Sequence, residues 1–148
     1  MVINNPLTHR YVDDSTGGYG RLVHIQTMKT EVIYGINETS TIFNKVTDIL
    51  EHNEISNYYL VNENQQRLYL KNVQLYVQDQ GFVNLNESLV GKMVLGKKSG
   101  RIEYTRLNNI TLMTDSVKGY ELTIENNGAF LLSADVPLDN AMILIREQ

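Results

Sequence analysis

An all-β barrel or sandwich is predicted by three observations. Short runs rich in Val, Ile, Thr and Tyr recur along the whole chain, and these residues suit the pleated, half-buried surface of a sheet. Turn-forming residues punctuate the runs, at 15–20, at Lys98-Ser99-Gly100 and at Asn127-Gly128. No sustained helical period with caps occurs, although residues 40–50 could hold a short helix. Many short strands between turns favour an all-β fold over an α/β one.

Taken in order, residues 1–14, with Pro6, read as an extended N-terminal arm that the glycine-rich stretch 15–20 ends. Strand-like runs follow at 22–25, 31–34, 44–50, 57–62 and 67–77. Shorter ones lie at 81–83 and 92–95, then come the hairpin tip at 98–100 and two further runs, 101–105 and 109–113. Tyr120, Leu122 and Ile124 alternate with polar residues, the period of a strand with one buried face. Asn127-Gly128 supplies a tight reversal, and residues 130–132 begin a return strand. Residues 142–145 form a last apolar strand. The expected organisation is an arm over 1–14, one β domain over 15–140, and a strand or tail over 141–148.

A chain of 148 residues fits one domain with its own core. The absence of cysteine excludes disulfides, thiolate ligands and a thiol nucleophile. The net charge of −4, with Lys and Arg dispersed apart from Lys97-Lys98, argues against nucleic acid as a partner. No apolar run reaches the roughly 20 residues that span a bilayer, so no membrane role is expected. The first residues lack the basic-then-apolar order of a signal peptide. Cytoplasm, or a particle assembled there, is the expected location. The abundance of Asn, with common Ile and Lys and no Trp, suits a low-GC genome such as those of many phages. In so Asn-rich a chain the Asn-x-Ser/Thr triplets at Asn37, Asn86 and Asn109 are expected by chance.

Residues 119–140 run as a Tyr120-x-Leu122-x-Ile124-Glu125 strand, a turn, Phe130-Leu131-Leu132 and a closing Asn140. This resembles the end of a Hint domain, the self-processing module of inteins and hedgehog proteins. There a "Tyr-x-Leu-x-Val-Glu" strand turns into a "Phe-hydrophobic-hydrophobic" strand that finishes on the His-Asn pair of the splice junction. The middle of the chain extends the likeness. Lys45-Val46 followed by Glu54-Ile55-Ser56-Asn57-Tyr58-Tyr59 is similar to the family's "Lys-Val … Glu-hydrophobic-x-x-Tyr-Tyr". Residues 68–77 occupy the place of the family's Thr-x-x-His strand. Gly81-Phe82-Val83 and Leu89-Val90-Gly91-Lys92-Met93-Val94-Leu95 match "Gly-x-hydrophobic … Leu-x-Val-Gly-Asp-x-Leu". The match runs from Lys45 to Asn140, while the first third aligns poorly. It implies a Hint-like compact sandwich or horseshoe of short antiparallel strands.

The resemblance also implies a chemistry, and this sequence departs from it at each step. Hint processing opens with a Cys or Ser attacking the preceding carbonyl. Ser15 and Thr16 are the candidates in that region, with Gly20-Arg21-Leu22-Val23 echoing the family's "Gly-Asp-Thr-Leu-Val". A Ser beside glycines is, however, ordinary turn chemistry. The Thr-x-x-His pair, whose imidazole serves as acid and base, reads Leu70-Lys71-Asn72-Val73 here, and neither Leu nor Val transfers protons. His9, His24 and His52 lie far from that position and read as surface or satisfied histidines. Asn140 stands for the cyclising asparagine, flanked by Asp139 and Ala141. Ala offers no acceptor, so only cleavage at Asn140 would remain.

Other chemistries find less. Asp13-Asp14 is the one adjacent carboxylate pair and has no further ligands nearby. Gly17-Gly18-Tyr19-Gly20 lacks the Lys and the helix of a phosphate cradle. No metal or cofactor is expected. The reading is a Hint-like, non-catalytic, structural or protein-interaction module in a larger assembly or homo-oligomer, with a bacteriophage virion component (tail, neck or capsid accessory) as its expected setting. Its candidate partner contacts are Tyr11, Tyr19, Met142, Ile143, Leu144 and Ile145. One rival is residual autoprocessing through Ser15 or Thr16 and Asn140. Another is a β module that binds sugar or peptide through exposed tyrosines such as Tyr58-Tyr59, Tyr69 and Tyr76, although Tyr in strands is ordinary sheet packing.

Overall fold

The computed structural model describes residues 1–3, 10–13, 21–24, 32–37, 40–63, 66–133 and 141–148. In chain order its strands are β1 (Val2–Ile3), β2 (Arg10–Asp13), β3 (Arg21–His24), β4 (Val32–Asn37), β5 (Ser40–Ile55), β6 (Tyr58–Glu63) and β7 (Gln66–Leu70). Then follow β8 (Val73–Val77), β9 (Gly81–Asn84), β10 (Met93–Lys98), β11 (Arg101–Met113), β12 (Val117–Ile124), β13 (Phe130–Ser133) and β14 (Met142–Glu147). Single turns of 3-10 helix occupy Glu87–Leu89 and Glu125–Asn127.

The hydrogen bonds lead from β10 through β11, β6, β7, β1, β12, β5, β4, β2 and β13 to β14, which pairs back with β10. Among the described residues every pairing is antiparallel, and the sheet returns almost to its start, so the fold is a nearly closed barrel. Two long strands build it. β5 pairs with β4 up to Lys45 and with β12 from Val46 onward. β11 repeats the device, pairing with β10 up to Arg106 and with β6 from Leu107. Just past each switch one extra residue interrupts the ladder, Thr47 in β5 and Asn108 in β11. Such bulges increase local twist, which lets one strand serve two differently oriented neighbours.

Several sequence expectations change here. Residues 40–50 are the first two-thirds of β5 and not a helix. β-branched Thr41, Ile42, Val46, Thr47 and Ile49 favour the strand, and partners on both halves consume its backbone groups. The runs 101–105 and 109–113 are one strand, β11, while 67–77 is two, because Asn72 turns the chain with φ 53°, a conformation Asn tolerates. The reversal after β12 does occur, with Asn126 and Asn127 at positive φ. Yet β13 does not return alongside β12. It crosses to lie between β2 and β14.

Both ends of the chain are structural. Val2 and Ile3 are 1% and 0% exposed in β1, which inserts between β7 and β12. β2 likewise joins the sheet, so the described parts of 1–14 are strands and not a free arm. The expectation that Met142 to Ile145 offer partner contacts is also corrected, since each is at most 5% exposed. Along β14, Ile143 and Ile145 enter the main core with Leu75, Leu122, Phe130 and Leu132. Met142 and Leu144 point the other way, into a second cluster with Leu95, Leu131, Tyr76 and Phe82. A strand buried on both faces reads as an unbroken apolar run, which is why the sequence resembled a sticky tail.

A third cluster, around Ile3, Ile55 and Tyr58, closes the end near the N-terminus. The Tyr58 hydroxyl donates to the Asp115 carboxylate at 2.6 Å, and burial, then Asp115 itself, push the phenol well above its ordinary range. Tyr58→Phe is expected to lose about 2 kcal/mol, the worth of a hydrogen bond to a charged group. Urea unfolding measures this, and a midpoint unchanged from wild type would refute it.

Candidate functional site

The barrel brings its two ends to one spot. Val2 pairs with Leu70 of β7 on one side and Tyr120 of β12 on the other. This register places Met1 beside the turn at Lys71-Asn72. The Lys71 N–H donates to the Met1 carbonyl at 3.0 Å, and the Met1 ammonium donates back to the Lys71 carbonyl at 2.6 Å. β14 arrives from the other direction. Glu147 pairs with Val73 of β8, and the Gln148 N–H donates to the Asn72 carbonyl at 3.0 Å. Residues 1, 70–73, 147 and 148 therefore form one cluster although they span the whole sequence.

An ion pair lies at its centre. The Met1 ammonium also donates to Glu147 Oε2 at 2.7 Å, and the two side chains are 12% and 14% exposed. Burial lowers the Met1 amine below its ordinary range, an effect the Glu147 carboxylate partly reverses. Burial likewise pushes the Glu147 carboxyl up, and the Met1 ammonium pulls it partly back. Desolvation outweighs attraction at both groups, as expected when two charges leave water together. Glu147 Oε1 is buried with no hydrogen-bond partner. Around the pair, the Lys71 ammonium donates to the Ser56 carbonyl at 2.6 Å. Arg146 bonds Gln74 at 2.8 Å and covers the Phe82 ring at 3.8 Å, so it faces away from Glu147 along the strand.

Chemically the cluster offers a thioether, two apolar side chains, two amides, the Lys71 ammonium and one carboxylate engaged by the Met1 ammonium. Leu70 and Val73, which the sequence resemblance set against the Thr-x-x-His motif, are both 0% exposed and packed in the main core. Among the described residues no group of His, Cys, Asp or Glu is arranged to hold a metal.

Ser15, Thr16, Tyr19 and Asn140, with Asp139, lie outside the described residues. Tyr11 pairs with Leu132 and Val23 in the backbone of β2. His52 sits at the surface, 3.2 Å from Glu121. Tyr58, Tyr59, Tyr69, Tyr76, Tyr104 and Tyr120 are all buried or half-buried. The sequence reading singled out Leu70 and Val73 but not Met1, Glu147 or Gln148, which carry no motif and become neighbours only through the fold.

A nearly closed antiparallel barrel with both ends meeting beside this turn is the Hint fold, the architecture of inteins. No protein-family model matches the chain, and no curated protein matches its sequence. Solved structures do. A mutant of an Ssp DnaB mini-intein variant superposes with a TM-score of 0.74 at 15% identity, covering 99% of this chain and 98% of that one. A bacterial intein-like domain from Clostridium thermocellum gives 0.71 at 17% identity, covering 99% and 96%. The TvoVMA intein gives 0.70 at 12% identity, covering 97% and 95%. The likeness thus extends over nearly the whole chain, including the first third that the sequence motifs left unaligned.

Proposed function

We propose that this chain is a non-catalytic Hint-fold module serving as a structural or protein-interaction component. One observation carries the reading. Where the two ends and the Leu70–Val73 turn converge, residues 1, 70–73, 147 and 148 carry no hydroxyl, thiol or imidazole, so the nucleophile and the proton donor of Hint processing find no counterpart among them. The Glu147 carboxylate, the acidic side chain among these residues, is held by the Met1 ammonium. A virion component remains the proposed setting, on the Asn-rich, cysteine-free composition. Since β1 and β14 are interior strands, partner contacts fall to the outer face of the barrel and not to its ends.

Intact mass with light scattering on the freshly purified chain tests the proposal. The expected result is one uncut species of 16.9 kDa or a clean multiple of it. Fragments beginning at Ser15 or Thr16, or ending at Asn140 or near Glu147, would replace this reading with surviving self-processing.

A further inference from the structure

The strands β11, β6, β7, β1, β12 and β5 lie side by side in that order, so this run has an outer strand at each margin. Among the described residues, β5 from Val46 to Ile55 pairs only with β12, and β11 from Asn109 to Met113 pairs only with β6. The turn at Gly91-Lys92 covers the far side of β11 at Leu107. There the Leu107 N–H donates to the Lys92 carbonyl at 3.0 Å, and the Gly91 N–H donates to the Leu107 carbonyl at 2.8 Å. From Asn109 onward no described segment bonds that side. A strand with one neighbour leaves half of its backbone donors and acceptors open to a further strand. The three large apolar side chains exposed among the described residues stand at these two margins. They are Leu50 on β5, Leu112 on β11, and Val90 in the turn that meets Leu107.

The two margins are guarded differently. Along β5 stand Asp48, Glu51, His52 and Glu54, and Glu121 faces Leu50 from β12. Charged side chains keep an edge from recruiting another strand. Two such edges would also set carboxylate against carboxylate in a chain of net charge −4. From Leu107 to Met113, β11 holds no charged residue and no proline. The other strands with one described neighbour, β3 and β9, are four residues long, and Arg146 covers Phe82 of β9. We propose that the β11 edge is an interface for a second copy of the chain, joined through the same edge as an antiparallel pair about a two-fold axis. Such pairing brings no charge into contact and offers Asn109 and Thr111 for cross-strand hydrogen bonds. It takes Leu112 out of water, with Val90 at the rim. Because the same patch serves both copies and the acidic β5 edge repels its own kind, association stops at two. This interface names a partner for the proposed interaction module and rests on that reading only there. Fragments found by intact mass would end the non-catalytic reading without touching β11.

Sedimentation equilibrium on the full chain tests this, with Leu112→Lys, Thr111→Lys and Leu50→Lys beside the wild type. Wild type is expected to pass from the 16.9 kDa monomer to twice that mass as its concentration rises from about 1 μM to about 1 mM. Leu112→Lys and Thr111→Lys each set one lysine per copy across the two-fold axis, and are expected to weaken the dimer roughly tenfold. Leu50→Lys, at the other margin, leaves it unchanged. All three positions are exposed, and circular dichroism checks that each variant keeps the fold. Amide exchange in wild type should slow at residues 109–113 as concentration rises, and stay constant at 46–55. A wild type that remains monomeric across this range overturns the proposal. So does a dimer that Leu50→Lys weakens and the two β11 substitutions leave intact. Equal weakening by all three would mean a head-to-tail contact of β11 with β5, and overturns the two-fold pairing. Should a lysine variant unfold, exchange in the wild type decides: protection of 109–113 that does not depend on concentration rejects the interface.

Discussion

Glu147→Ala is expected to destabilise the protein by about 1.4 kcal/mol near pH 7, the cost of holding the Met1 amine neutral one unit below its unfolded value of 8.0, read as a fall of about 5 °C in the thermal midpoint. The loss arises from depriving the Met1 amine of its counter-charge, with the Lys71 carbonyl left to receive it. Its pH dependence separates this cause from simple loss of packing. The Glu147 carboxyl is raised in the fold, so its contribution to stability is fully present below its unfolded value of 4.5 and is lost as pH rises through the folded value. The Met1 amine is lowered in the fold, so the unfolded chain binds its proton more tightly. Stability therefore climbs as pH rises from the folded amine value to the unfolded 8.0. Wherever both groups are charged, the pair carries both desolvation costs and is at its least favourable. Removing the carboxylate deletes the acid limb and moves the alkaline limb to lower pH, because the anion that supported the ammonium is gone. Above about pH 8 the penalty of Glu147→Ala shrinks, since the stranded amine is then neutral in both states. Chemical denaturation of both chains across this range measures the difference profile. A penalty that does not vary with pH would assign the loss to packing alone.

The all-β class was legible because it rests on local signals that survive without partners. The alternation Tyr120, Leu122, Ile124 became β12, the Ser99-Gly100 tip became a turn with both residues at positive φ, and β14 was visible as an apolar run. Partners were the part that sequence hid. Residues 130–132 looked like the return limb of a hairpin, but their ladder is with β2 and β14, strands far away in sequence. Residues 142–145 looked like an adhesive tail because a strand buried on both faces and an unpaired apolar end have the same composition. The site was hidden for a similar reason. Met1, Lys71 and Glu147 carry no motif, and only the barrel's closure makes them neighbours. The Hint motifs drew attention to Leu70 and Val73, which lie in this cluster, while Asp139 and Asn140, which they set at the close of the domain, lie outside the described residues.

That closure makes a second large effect predictable, at Gly96. β10 meets β14 with Gly96 opposite Ile143 and Lys97 opposite Met142, the contact that turns an open sheet into a nearly closed barrel. A Cβ on Gly96 would overlap the Met142 carbonyl oxygen and crowd the Met142 carbonyl carbon and Ile143 Cα at 3.3 and 3.4 Å. All three are backbone atoms of a strand that β13 and β8 also hold, so no side-chain rotation relieves the clash. Gly96→Ala is therefore expected to cost about 3 kcal/mol, at the upper end for overpacking. At Gly81, where a Cβ meets nothing within 4 Å and only the φ of 80° is strained, Ala is expected to cost about 1 kcal/mol. Amide exchange locates the damage. In Gly96→Ala the protection of β10 and of the β14 residues facing it should fall first, because the clash opens the seam while leaving the β13–β14 ladder intact. Measured stabilities of the two variants within about 0.5 kcal/mol of each other would show that the seam yields, and that the barrel closes less tightly than its backbone contacts imply.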